Sequence, residues 1–170
     1  ERSDRYLSRE AADAIAGVAS VDDLEAVARA VNDVVTAQAD SQGLTHEDGK
    51  IECLYYDGEI RVADVVGTFD ENRFSYEGTQ LSKEVIRQYH KRTQPEWVDA
   101  VADAKAQAKE RDEADWKALC SVDPEPLDDD VLAVARDMYT AGTNAYTDIA
   151  LFDAPPLSTA VGAVQRLGRQ

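Results

Sequence analysis

The stretch from Pro95 to Cys120 constrains the possible folds more strongly than any other part of the chain. It contains no glycine, and its only proline is the first residue, a position where proline favours the start of a helix. Because good helix formers dominate the rest, the sequence predicts one helix over 95–120, roughly 39 Å long. Its large apolar residues lie at the two ends, and the only apolar residues in the middle are alanines. Such a helix suits either a strut between two small cores or one half of an interface between subunits.

The clearest helical periodicity lies between Asp22 and Ala39, where apolar side chains recur at intervals of three and four residues. Ser20 precedes this stripe and predicts an N-terminal cap. Shorter helices are predicted from apolar spacing, acidic starts and breaks at proline or glycine. They cover residues 9–17, 82–91, 128–142, 144–152 and 158–167, and Gly142 is the predicted C-terminal cap of the third of them.

A β-hairpin is predicted around the Asp-Gly pair at 57–58, which stands between two runs rich in β-forming residues. A two-residue turn at that position pairs Tyr55 with Ile60 and Cys53 with Val62. Side chains alternate between the two faces of a strand, so these four residues share one apolar face.

The hairpin needs further cover, because two strands alone are marginally stable. The predicted neighbours are a third strand within 68–76 and the helix over 22–39, while 40–49 has the composition of a loop. The predicted fold class is therefore mainly α, with about six helices and a small antiparallel β-hairpin or meander at about residues 50–76. Tyr56 lies on the second face of the hairpin, where it is either part of an interaction patch or covered by another part of the chain.

The C-terminal segment is poor in charge. Residues 138–165 include no basic residue, and their only acids are Asp148 and Asp153. In so acidic a chain this depletion predicts burial, either in the chain's own core or against another subunit. We therefore predict a mainly helical domain over 1–142 and a docking segment over 143–170, which would suit a ring, shell or filament subunit. The predicted interface residues are Tyr146, Ile149, Phe152, Leu157, Val161, Val164, Leu167 and, from the hairpin, Tyr56.

The charge balance is the strongest global signal. Lysine and arginine number 18 against 34 aspartates and glutamates, a formal net charge of −16. This composition resembles proteins of salt-loving archaea or of their viruses, since a carboxylate-rich surface stays hydrated in concentrated salt. The alternatives are an ordinary acidic protein and one that binds a basic partner. The chain has no run of 18 apolar residues, so we predict no transmembrane helix. The N-terminal residues do not resemble a signal peptide, and two cysteines are too few for a disulfide framework. We therefore predict reduced thiols and a cytoplasmic or virion location.

A basic stripe stands out against this acidity. Lys83, Arg87 and Lys91 are four residues apart on one face of a predicted helix, and Arg92 lies beside them. Such a stripe opposite an apolar face could contact the phosphates of a nucleic acid. The alternative is a solvated face whose cations neutralise nearby acids and favour the C-terminal end of the helix.

No catalytic or cofactor motif is recognisable in the chain. His46, Glu47 and Asp48 share one predicted loop, but their spacing fits neither an EF-hand nor a zinc site. There is no P-loop, no dinucleotide-binding glycine pattern and no metalloprotease motif. We therefore predict no catalytic residues, no metal and no cofactor.

The predicted function is a non-enzymatic structural or interaction subunit of a larger assembly in a haloarchaeal or haloarchaeal-virus setting, for example a virion connector. Its predicted partners are proteins, in a homo-oligomer or a multi-subunit assembly. The alternative is a nucleic-acid-binding regulator that uses the basic stripe. An enzyme, the third class, would require a cluster of perturbed titratable groups in a pocket near His46 or His90.

Overall fold

Six helices and two small antiparallel sheets make up the part of the chain that a computed structural model describes, residues 6–168. The predicted fold class, mainly α with a small β unit, is therefore confirmed. The α-helices are α1 (Arg9–Ala16), α2 (Val21–Ser41), α3 (Glu84–Thr93), α4 (Pro95–Arg111), α5 (Asp129–Thr147) and α6 (Leu157–Leu167), and a 3-10 helix spans Trp116–Leu119. The strands are β1 (Thr45–Gly49), β2 (Glu52–Tyr56), β3 (Glu59–Ala63), β4 (Asn72–Tyr76) and β5 (Thr79–Gln80).

The hairpin of β2 and β3 has the predicted register, with Tyr55 opposite Ile60 and Cys53 opposite Val62. The predicted third strand does exist, but it does not join this hairpin. Instead β4 pairs with β1 on one side and β5 on the other, in a separate sheet of order β1-β4-β5. The prediction of a loop over 40–49 was wrong for β1, because pairing with the distant β4 outweighs the local preference of a polar, glycine-containing segment.

The predicted long helix begins at Pro95 but ends at Arg111. Asp112 takes a left-handed conformation that closes α4, and the chain turns back into the 3-10 helix, which packs along α4. The Nζ atom of Lys105 lies 4.9 Å from the centre of the Trp116 ring. Burial of the alanine face of α4 stabilises this turn more than further helical residues could, because isolated helices of this kind are marginal in water.

The prediction that Gly142 ends a helix was also wrong, because α5 continues through it to Thr147. A Cβ atom at Gly142 would lie 2.8 Å from Cε2 of Phe69, so glycine is needed here for close packing and not for a cap. The separate helix predicted over 144–152 does not form, because residues 144–147 are the last turn of α5 and residues 148–152 are not helical. The predicted boundary at residue 142 falls inside one continuous helix.

The core forms where α2, α5 and α6 meet the inner face of the three-stranded sheet. Phe74 of β4 is fully buried, and its ring lies 5.2 Å from that of Phe69 in an edge-to-face contact. The buried cluster consists of Val35, Ala39, Leu44, Phe69, Phe74, Leu81, Met138, Val161 and Val164. None of the helices in the described part of the chain is long and apolar enough to cross a membrane.

Candidate functional site

Charged side chains gather on the outer face of the three-stranded sheet and at the start of α3. We call them the ion-pair cluster, and its cations are Arg73, Lys83 and Arg87. In the sheet, Asp48 of β1 stands opposite Arg73 of β4. The Arg73 guanidinium donates two hydrogen bonds to this carboxylate, and the one from Nε measures 2.5 Å. The carboxylates of the cluster are those of Glu47, Asp48, Asp70 and Glu84.

A β-bulge in β1 makes this pairing possible. His46 lies opposite Phe74, yet Asp48, two residues further on, lies opposite the neighbouring residue Arg73. In a regular strand His46 and Asp48 would point to the same face, but the extra residue, Glu47, lets one point inward and the other outward. Glu47 accepts a hydrogen bond from the side-chain amide of Gln80 in β5.

The remaining members come from α3 and from the loop before β4. Lys83 Nζ lies 3.3 Å from Oδ1 of Asp70, and Arg87 lies 3.6 Å from Glu84. Hydrogen bonding to Asp48 raises the pKa of Arg73, and the charges of Glu47 and Glu84 raise it further. The pair of Arg73 and Asp48 on the sheet is therefore coupled electrostatically to Glu84 on α3.

Tyr139 of α5 lies under the same surface. Burial raises the pKa of its hydroxyl above the ordinary value, the carboxylate of Asp70 raises it further, and the cation of Arg87 opposes this. The hydroxyl therefore stays protonated near neutral pH and keeps a proton that it can donate.

A chain of partly buried hydrogen bonds fixes the loop that carries Asp70. Asn72 is buried; its Oδ1 accepts a hydrogen bond of 2.8 Å from the backbone N–H of Gly67, so its Nδ2 is the donor that faces Nε2 of His46 at 2.9 Å. Nε2 must then be the accepting nitrogen, which assigns the proton of His46 to Nδ1, and Nδ1 donates to Oγ1 of Thr36 at 2.9 Å. We call these three hydrogen bonds the relay. They hold α2, β1 and the loop before β4 in fixed positions relative to one another.

The exposure of these ion pairs to solvent limits how much each of them contributes to stability. The side chains of Asp48, Asp70, Arg73, Lys83 and Arg87 are all exposed. Exposed pairs contribute about 0–1 kcal/mol each. A ligand anion can therefore take the place of a carboxylate at one of the cations with little loss of stability.

The structure separates the predicted basic stripe into two parts. Lys83 and Arg87 belong to the ion-pair cluster, whereas Arg92 donates to the backbone oxygen of Leu167 at 2.9 Å and its guanidinium lies 6.0 Å from the ring centre of Tyr89. Lys91 is exposed on α3.

The predicted interface residues are also divided. Val161, Val164 and Leu167 are buried in the chain's own core, and Tyr146 and Leu157 pack against that core. The remaining three are exposed, namely Tyr56, Ile149 and Phe152.

Sequence reasoning missed Arg73 and gave Asp48 and Asp70 no role. The available signal was the alternation in β4, where buried Asn72 and Phe74 flank Arg73 and so place it on the opposite face. Within residues 6–168, no three histidine, cysteine, aspartate or glutamate side chains are grouped so that they could hold a metal ion.

Comparison with known proteins gives two agreeing results. A model of the family described as SAICAR synthetase matches residues 1–104. An Archaeoglobus fulgidus protein named "Putative phosphoribosylaminoimidazole-succinocarboxamide synthase" is 36% identical over 171 residues, which cover 98% of this chain and 49% of that protein. A Thermoplasma acidophilum phosphoribosylaminoimidazole-succinocarboxamide synthase is 27% identical over 149 residues, which cover 82% of this chain and 47% of that protein. No solved structure matches the chain.

These comparisons correct the predicted function. The predictions of a non-enzymatic structural subunit or virion component, and of a nucleic-acid-binding regulator, were wrong, because the matched family and the named relatives are enzymes. The predicted halophilic setting finds no support in the matched family or in these relatives. The chain spans about half the length of the curated relatives it matches. The family match covers more than half of the chain, and the chain belongs to the SAICAR synthetase family.

Proposed function

We propose that the chain takes part in the reaction after which its relatives are named, and that the ion-pair cluster binds the anionic groups of the compound formed. The name describes a phosphoribosyl group, an aminoimidazole ring and a succinyl group attached through a carboxamide. Such a compound carries a phosphate and two carboxylates, so a protein that recognises it needs cations. Because the chain spans about half of its relatives, the complete activity is part of the proposal.

One observation carries this proposal: three cations from different elements converge on one surface of a chain with a net charge of −16. Arg73 comes from β4, Lys83 precedes α3 and Arg87 lies within it, and all three fall in the segment that the family matches. Arginine forms paired hydrogen bonds with phosphate and carboxylate, and lysine supplies a point charge.

The local arrangement supports exchange of one anion for another. Asp48, Asp70 and Glu84 pair with the three cations; the first two carboxylates are exposed and that of Glu84 is half-buried. A phosphate has more acceptor oxygens and more charge than a carboxylate, so it would compete with an exposed carboxylate for the same cation.

The test is a calorimetric titration of the chain with SAICAR, the product itself, at low ionic strength. The variants are Arg73→Ala, Lys83→Ala and Arg87→Ala. We expect each to weaken binding roughly 10- to 100-fold, since a hydrogen bond to a charged group contributes about 1.5–3 kcal/mol.

The matched control is Arg29→Ala, which removes an exposed arginine outside the cluster that is paired with Glu25 on α2. It should bind SAICAR as the unchanged chain does. Equal losses in all four variants would mean that net charge and not the cluster controls binding, and unchanged affinity in the three cluster variants would reject the site.

The nature of the compound also bears on location. A polyanion of this kind does not cross a lipid bilayer unaided, because the transfer of its charges out of water is too costly. The sequence predicts a cytoplasmic or a virion location; this argument supports the first, and the virion option has no support from the matched family.

A further inference from the structure

The hairpin of β2 and β3 exposes more large apolar side chains than a strand pair on a free surface normally does. Leu54, Tyr55 and Tyr56 of β2 are 45%, 48% and 62% exposed. Val62 of β3 and Val65 just after it are also exposed. Leu54 and Tyr56 are two positions apart on β2 and share one face, and exposed large apolar neighbours of this kind mark an interaction site more often than a solvated face does.

Both faces of the hairpin contribute to this surface. Tyr55 and Val62 belong to one face, and Leu54 and Tyr56 to the other, since side chains alternate along a strand. β3 lies against α2, which covers only part of the first face. A two-stranded sheet with both faces open is marginally stable in water, so this hairpin requires additional cover.

The unpaired edges of the hairpin and its small net charge are also consistent with a surface that another protein segment covers. In the described part of the chain, neither β2 nor β3 pairs with a further strand. Its charged side chains are paired with each other, Lys50 with Glu52 and Arg61 with Glu59, at 2.9 and 3.5 Å. The guanidinium of Arg61 also lies over the ring of Tyr56, 5.2 Å from its centre. In a chain of net charge −16, residues 50–63 hold two basic and three acidic residues and are nearly neutral.

The length of the relatives indicates what covers the hairpin. The two named relatives extend over about twice the length that this chain matches. We propose that the hairpin is the docking surface for the complementary half of the SAICAR synthetase fold, carried by the same polypeptide or by a separate one. The contact covers both open faces of the hairpin and adds a strand to one of its free edges. It buries Leu54 and Tyr56 on one face and, on the other, the part around Val62 and Cys53 that α2 leaves open. This inference rests on family membership and is independent of the ligand proposed for the ion-pair cluster.

Cys53 provides a readout inside the hairpin. It is a half-buried free thiol on β2, and Cys120, which lies beyond the 3-10 helix, is a second free thiol that serves as an internal control. The probe is the part of the Archaeoglobus fulgidus relative that this chain does not match, purified as a separate protein. We expect a one-to-one complex by light scattering, with alkylation of Cys53 slowed at least tenfold and alkylation of Cys120 unchanged.

Two variants place the contact on the hairpin. Leu54→Asp and Tyr56→Asp should weaken the complex at least tenfold while the circular dichroism spectrum stays the same. The matched control is Leu132→Asp, since Leu132 is 49% exposed on α5 and its substitution should leave the complex intact. A complex that resists both hairpin variants would overturn the proposal, and so would a homodimer of the chain that the same variants disrupt.

A fusion of the two pieces through a flexible linker removes the dependence on affinity between proteins of different organisms. Protection of Cys53 in the fusion but not in the isolated chain would support the docking surface. Equal reactivity of Cys53 in both would overturn it, whether or not the chain binds SAICAR.

Discussion

Arg73 and Asp48 stand opposite each other on β4 and β1, and the guanidinium meets the carboxylate through two parallel hydrogen bonds. Neither residue is near the other in the sequence, and neither is buried. Their contact joins the first strand of the sheet to its central strand, and the charge of Glu84 at the start of α3 acts on the same guanidinium. The pair therefore forms the part of the ion-pair cluster that lies on the sheet.

Asp48→Asn should change how stability depends on pH. Hydrogen bonding to Arg73 holds the pKa of Asp48 below its ordinary value. The stability that the pair contributes is therefore fully present above about pH 4 and is lost as the pH falls through the lowered pKa. In thermal unfolding at low ionic strength, the variant should be slightly less stable than the unchanged chain at neutral pH, with the difference vanishing in strong acid.

Salt supplies the control for this measurement. Both groups are exposed, so about 1 M salt should remove most of the difference at neutral pH as well. A difference that is the same in strong acid and at neutral pH would show that the carboxylate acts through packing and not through its charge.

Asn72→Ala should destabilise the fold by about 2–4 kcal/mol. The change leaves the backbone N–H of Gly67 and Nε2 of His46 without their partners, and an unsatisfied buried polar group costs about 1–3 kcal/mol. Urea unfolding measures the loss. Asn32→Ala is the matched control, because Asn32 is exposed on α2 and its removal should change the free energy of unfolding by less than about 0.5 kcal/mol. Similar losses in the two variants would contradict the relay.

Gly142→Ala should destabilise the chain even though alanine is the better helix former. The added Cβ would lie 2.8 Å from Cε2 and 3.0 Å from Cζ of Phe69, and overpacking of this kind costs about 1–3 kcal/mol. Gly162→Ala is the matched control in α6, where the nearest atom is 3.5 Å away on the flexible side chain of Arg166. That control should raise the free energy of unfolding by about 0.5–1 kcal/mol.

A second substitution separates packing from backbone effects at the same position. Phe69→Leu combined with Gly142→Ala should recover part of the loss, because the smaller side chain leaves room for the methyl group. If the two effects simply add, contact with Phe69 is not the reason for the glycine.

The sequence predicted those elements whose signals are local. The register of the hairpin followed from its two-residue turn, and the stripe of α2 followed from its spacing. The end of α4 could not be predicted from the sequence, because it depends on Trp116 folding back onto a face made of alanines. Propensity alone favours continuation through that point.

The site was only half predictable for a related reason. Lys83 and Arg87 were visible as a spacing on one helix, and they do lie in the cluster. Arg73 and Asp48 come together only through the pairing of β4 with β1, which joins residues 25 positions apart in the sequence. The C-terminal segment posed the same difficulty, since a lack of charge predicts burial without indicating which surface provides it.

Because of the β-bulge at Glu47, the face on which Asp48 lies depends on the pairing register of β1 and not only on which residues the strand contains. Loss of the bulge, with Glu47 paired as a regular strand residue, would keep every charged residue in the sequence, yet it would turn the aspartate to the same side as the histidine. Two homologues with identical charged residues but a different register in this strand would then present different surfaces. Insertions and deletions in β1 should therefore be compared first when the family is divided by specificity.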